Sequence, residues 1–168
     1  MPYQDRFSLA DQYVEHLNQS LSEIEDAFIA SRYVGFVAVS AVTVYEQAIK
    51  DIFIAFSAKK HHVFGEFASS YFLRINGRIS SRDIVKEYLP RFGEKYVSRF
   101  KKKRDQKEKE FLLTGRKSIS TSYGNIITWR NQFAHEGIIP NTVTFLEVKD
   151  AYDSGKHIIH CLAETMVR

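Results

Sequence analysis

The sequence predicts an all-α fold, a single-domain antiparallel helical bundle over residues 1–168. Three observations carry this expectation. Apolar residues recur at three- and four-residue steps along much of the chain, the period of a helix face. Capping and stopping residues fall between those runs. At 168 residues the chain has the size of one domain, with no internal repeat, low-complexity linker or composition break to divide it.

Residues 5–31 read as a first amphipathic helix, with Val14, Leu17, Leu21, Ile24 and Phe28 on alternating three- and four-residue steps. The segment 34–58 is ambiguous in its first half, where Val34, Val37, Val39, Val42 and Val44 also suit a buried strand. Its second half (Tyr45, Ala48, Ile49, Ile52, Phe53, Phe56) has helical spacing. A strand of that extent would be unusually long, so length decides for one long central helix. A short helix is expected over 63–74, closed by Asn76-Gly77. Ser80 or Ser81 is placed to cap another that ends near Pro90. Residues 94–113 read as a charged helix stopped by Gly115. The next should run from about Ser118 to His135, with Gly137 ending it. Thr144 and Glu147 form a capping-box pattern before a last helix. Its apolar stripe is Val148, Tyr152, Gly155, Ile159, Leu162 and Met166.

Composition narrows the function classes. An aromatic share of 14% argues against disorder. A formal net charge of +4 suits a nucleic-acid partner without requiring one. The single cysteine, Cys161, excludes an internal disulfide and gives no reason to infer secretion. The first ten residues include Asp5 and Arg6 and lack the apolar core of a signal peptide. The most apolar run, Tyr33 to Tyr45, is shorter than the roughly 20 residues of a membrane span. A cytoplasmic protein without a membrane association is expected.

The densest chemistry lies in Trp129-Arg130-Asn131-Gln132-Phe133-Ala134-His135-Glu136-Gly137. Asn131 and His135, four apart, share a helix face. Arg130 and His135, five apart, diverge by about 140° at roughly 100° per residue. A site using both needs a helix that ends at the histidine, or a second copy of the motif opposite. Cleaving RNA without a metal requires a group to handle protons at neutral pH and a cation for the phosphorane-like transition state. Histidine serves the first need and the planar guanidinium of arginine the second. The C-terminal end of a helix attracts a cation, which suits His135 to an acid or electrostatic role over a base. Asn131 could orient the imidazole or hydrogen-bond the phosphate.

The run Arg130-Asn131-x-x-Ala134-His135 resembles the R-N-x-x-A-H signature of the HEPN superfamily, in the branch of RiboL-PSP-type and related stand-alone prokaryotic members. That resemblance implies a helical bundle with the motif late in the chain and, for many members, metal-independent ribonuclease activity. It implies Arg130, Asn131 and His135 as catalytic residues and no cofactor. It also implies RNA as substrate, with the ribose 2′-hydroxyl as nucleophile, and a homodimer in which two Arg–His sets line one shared cleft. A toxin–antitoxin or antiviral-defence setting follows from the same likeness, with an antitoxin protein as a partner. Some toxin members carry a tyrosine two residues after the histidine, where a nucleotidyltransferase modifies them. Gly137 stands there in this chain, which argues against that route of control.

Other constellations each have a blander reading. Glu46, the first charge after the long apolar run, is a candidate partner for Arg130; otherwise it opens a solvated face and pairs with Lys50. Arg99, Lys101, Lys102, Lys103 and Arg104 could track an RNA backbone. Asp105, Glu108 and Glu110 are interleaved near them, as on a solvated helix. His157, His160 and Cys161 invite a zinc reading, but only His157 and Cys161 share a face and no second pair is evident, so no metal is expected. The pair His61-His62 suits a helix end better than a site. No Gly-rich phosphate loop or nucleophile elbow is present. The alternative to a ribonuclease is a non-catalytic module binding RNA or protein. In that case His135 caps its helix and Arg130 makes a structural ion pair.

Overall fold

A computed structural model of the chain describes residues 2–21, 23–140 and 142–167. The helices, in order, are α1 (Pro2–Leu21), α2 (Ala27–Lys60), α3 (His62–Phe72), α4 (Ser81–Asp83), α5 (Glu94–Leu113), α6 (Ile119–Glu136) and α7 (Phe145–Thr165). There is no strand among the described residues. The ambiguous valine-rich segment is therefore helical, and α2 is longer than its sequence pattern suggested.

Helix α2 is the axis of the bundle and packs against α1, α3, α6 and α7. Its apolar residues serve that position: Val37, Ala38, Ala41, Tyr45, Ala48, Ile49 and Phe53 are all inaccessible to solvent. By length and composition alone, Phe28–Lys60 would also pass as a membrane span. Cross-contacts set the directions. Gly35 meets Phe133 while Tyr45 stacks on Tyr123, so α6 runs antiparallel to α2. The pairs Lys103–Glu164 and Phe111–His157 likewise set α5 antiparallel to α7.

Two aromatic clusters use the chain's many Phe and Tyr residues. Tyr45 lies between Tyr123 and Tyr152, with ring centroids 5.2 and 5.8 Å away. Each hydroxyl is satisfied, as burial demands. Tyr45 donates to the Tyr152 carbonyl at 2.6 Å, Tyr123 to the Ile79 carbonyl at 2.6 Å, and Tyr152 to Asp11 at 2.9 Å. Phe53 stacks on Phe72 and Phe92, with Tyr88 edge-on. The bond from Tyr123 ties α6 to the turn between α3 and α4, and the one from Tyr152 reaches farthest along the chain, tying α7 to α1.

The expected first helix over 5–31 is not observed. Helix α1 ends at Leu21, Ser22 lies outside the described residues, and Asp26 starts α2 by accepting from the Phe28 and Ile29 amides at 2.8 and 3.3 Å. The buried stripe of α1 is Tyr3, Phe7, Ala10, Val14 and Leu17, shifted toward the N-terminus from the predicted one. Phe28, predicted to belong to that stripe, is 62% exposed. The capping Asp26 breaks a pattern that periodicity alone carries across the junction.

Elsewhere the boundaries agree closely. Ser80 caps α4 with a full capping box to Asp83, but the helix does not stop at Pro90. It continues through a π turn (Ile84–Tyr88) and a 3-10 turn (Leu89–Phe92) to Gly93. Pro90 sits in the first turn of that last segment, where a missing N–H costs nothing. The Thr144–Glu147 capping box is formed, and the predicted stripe of α7 is buried throughout.

Candidate active site

Helix α6 is fixed at both ends. Ser118 accepts from the Thr121 amide, and Gly137 adopts a left-handed conformation (φ 71°) while its N–H bonds the Phe133 carbonyl. The helix continues to Glu136, so it does not end at His135. Both motif residues therefore lie within one helix, and the roughly 140° divergence between them holds inside one chain. Arg130 follows Ile126 by one turn on the inward side and is half-buried. Asn131, Ala134 and His135 are exposed.

The Arg130 guanidinium is seated from two sides. Its Nη1 donates to Asn131 Oδ1 at 2.9 Å. Its Nη2 lies against Gly77, where a Cβ would come within 2.8 Å of it. Gly77 also has φ +71°, so glycine is required there for the turn and for the close approach.

Glu46 holds that turn. One carboxylate oxygen accepts from the Gly77 amide at 2.6 Å and the other from Lys50 Nζ at 2.6 Å. Lys50 also reaches the Leu73 carbonyl at 3.4 Å. Burial pushes the Glu46 carboxyl up, but the Lys50 bond, the Gly77 N–H and the Lys50 and Arg130 charges outweigh it. The net result is a pKa below the ordinary carboxylate value. Of the sequence readings of Glu46, the pairing with Lys50 is formed, and the other two features need correction. It makes no ion pair with Arg130; the Gly77 turn stands between them, and the arginine acts on it only at longer range. Nor does it open a solvated face, because its side chain is 16% exposed and that of Lys50 only 7%. This link was invisible in the sequence: Asn76-Gly77 announces a turn but not what the turn touches.

His135 makes no side-chain hydrogen bond or ion pair among the described residues, and Arg130 has no carboxylate partner there. Next to them, the buried Gln132 Oε1 lacks a donor among the described residues. Phe133 packs edge-on against the exposed Phe36 at 5.5 Å, and its ring fills the space over Gly35. That glycine lets α2 and α6 approach closely, a role the sequence pattern did not reveal.

The basic run on α5 is largely occupied. Arg99 reaches the Thr165 carbonyl and lies near the Tyr96 ring, Lys103 pairs with Glu164, and Arg104 with Asp105. Of that run, Lys101 and Lys102 point outward without a partner among the described residues. The remaining histidine and cysteine candidates have structural places. His61 caps α3 through its ring nitrogen, His157 packs on Phe111, His160 contacts the Tyr3 hydroxyl at 3.3 Å, and Cys161 is buried. No group of three potential metal ligands occurs among the described residues.

A family model described as RiboL-PSP-HEPN matches residues 2–168, the whole bundle with the α6 motif inside it. No curated protein and no solved structure gives a significant match.

Proposed function

The chain belongs to the RiboL-PSP-HEPN family, and from that premise we propose that it is a metal-independent endoribonuclease centred on Arg130, Asn131 and His135. One observation carries the reading. Among the described residues, Arg130 and His135 have neither of the contacts a purely structural role would give them, an ion pair for the arginine and a carbonyl cap for the histidine. The Gly137 amide closes the helix instead. A seated, half-buried guanidinium without a carboxylate is suited to bind phosphate oxygens bidentately.

The chemistry is an in-line displacement. The 2′-hydroxyl gives up its proton to solvent water as its oxygen forms a bond to phosphorus and the bond to the 5′-oxygen breaks, leaving a 2′,3′-cyclic phosphate. Arg130 stabilises the charge on the equatorial oxygens, Asn131 fixes the guanidinium, and His135 protonates the departing 5′-oxygen. Because Arg130 and His135 diverge on one helix, the working cleft is formed by two copies. Exposed apolar residues flank the motif and suit that contact: Phe36 at 48% and Ile138 at 56%. The stranded Gln132 oxygen fits a surface that another molecule completes. The setting is toxin–antitoxin or antiviral defence in the cytoplasm, with a protein antitoxin as partner. Modification two residues after the histidine has no acceptor, since Gly137 carries no side-chain hydroxyl.

The test uses an RNA oligonucleotide that the enzyme cuts, and the same oligonucleotide with a single 2′-deoxy sugar at the cut. Cleavage there should cease, while the unmodified product carries a 2′,3′-cyclic end in EDTA. Continued cleavage at the deoxy position would refute attack by the 2′-hydroxyl.

A further inference from the structure

A groove of about 630 Å³ opens beside the Gly77 turn, between α3 and the Ser80–Phe92 segment. Its walls include Phe67, Tyr71, Arg74 and Arg78. Arg78 is the residue after Gly77, which touches the Arg130 guanidinium, so the groove begins one residue from the motif arginine's contact. Both Arg74 and Arg78 are exposed, and neither has an ion pair among the described residues. Phe67 is 66% exposed, and Arg91 lies over the outer face of Tyr71 at 4.5 Å. Two carboxylates also line the groove. Asp83 is occupied by its capping box with Ser80, which leaves Glu87, among the described residues, as the acidic group on that wall without a bonded partner.

Resting on the ribonuclease reading, we propose that this groove, and not the basic face of α5, binds the single RNA strand flanking the scissile phosphate. Arg74 and Arg78 neutralise successive phosphates, and Phe67 offers a face on which an unstacked base lies. Free guanidinium groups beside aromatic faces are the chemistry of single-strand binding. The α5 cations lack it, because most are spent on neighbouring carboxylates and carbonyls. The Glu46–Gly77 bond keeps the groove in register with Arg130, since one turn forms the edge of both.

The test is fluorescence anisotropy with a labelled single-stranded RNA of mixed sequence, using full-length His135→Ala protein to prevent cleavage. Arg74→Ala/Arg78→Ala should weaken binding and flatten the salt dependence by about 0.7 log units per arginine removed. Phe67→Ala should weaken binding roughly tenfold. Glu87→Gln should tighten it, and Lys101→Ala/Lys102→Ala should leave it unchanged. In the wild-type background, Arg78→Ala should raise KM for RNA cleavage with kcat held. All these side chains are exposed, so unaltered thermal melting is expected and serves as the folding control. If the protein binds RNA but the groove variants keep wild-type affinity and salt slope, or the α5 variants lose it instead, the groove assignment is overturned while the ribonuclease reading stands. If wild type neither binds nor cuts RNA, both fail together.

Discussion

At Arg130 the question is what keeps a guanidinium half-buried with no carboxylate partner among the described residues. The answer is geometry supplied by neutral groups, the Asn131 amide oxygen and the Gly77 backbone. Asn131→Ala should therefore reduce cleavage less than Arg130→Ala, because it frees the guanidinium without removing it. Gly77→Ala should lower kcat by displacing Nη2, although residue 77 lies outside the motif; single-turnover kinetics on matched protein would read both effects. Glu46→Gln leaves Lys50 buried without its counter-charge, which costs about 3 kcal/mol. Urea unfolding should record that loss, and an unchanged midpoint would contradict the pairing. The motif residues were legible from the sequence because their types and spacing are local. The Glu46–Gly77–Arg130 relay was not, because it joins residues far apart in the chain through a backbone amide.

Among the elements, α6 depends on its termination. Gly137→Ala forces a side chain into a left-handed residue and should cost about 1 kcal/mol, read as a lower melting temperature. Gly35→Ala should cost more, since its Cβ would fall 2.2 Å from the Phe133 ring and push α2 away from α6. Helix α7 gives the fold a pH dependence. Burial, followed by the charges of His160, Lys107 and Arg116, lowers the His157 pKa from 6.5 to about 4. Burial and Lys156 lower that of His160 as well. Both favour the neutral form when folded, so the unfolded chain takes up protons first as pH falls. Stability should be full above pH 6.5, decline between 6.5 and about 4, and level off in this contribution below that. Melting curves across that range should show the decline, and His157→Phe should shallow it. Helix ends were read well wherever a capping side chain or a glycine marked them, as at Ser118, Gly137 and Thr144. Periodicity failed at the α1–α2 junction because Ile24 and Phe28 kept the spacing after the helix had ended. It could not show the π turn at 84–88, which depends on packing around Ile84 and Tyr88 and not on a local sequence cue.

At the scale of the whole molecule, the all-α bundle followed from many small regularities that agree with one another. Assembly was the part least written in the chain. The exposed Phe36 and Ile138 lie near the motif, and the proposed two-copy cleft would cover them. Phe36→Asp with Ile138→Asp should convert a dimer to a monomer and remove activity without altering helicity, as light scattering and circular dichroism would record. The central claim is catalysis by Arg130 and His135 without a metal. Its most direct test is cleavage of total RNA and tRNA in EDTA by purified wild type, Arg130→Ala and His135→Ala. Discrete fragments from wild type, reduced at least about 100-fold in either variant while melting stays unchanged, are the predicted result. Equal fragments from all three proteins, or none from wild type, would contradict it.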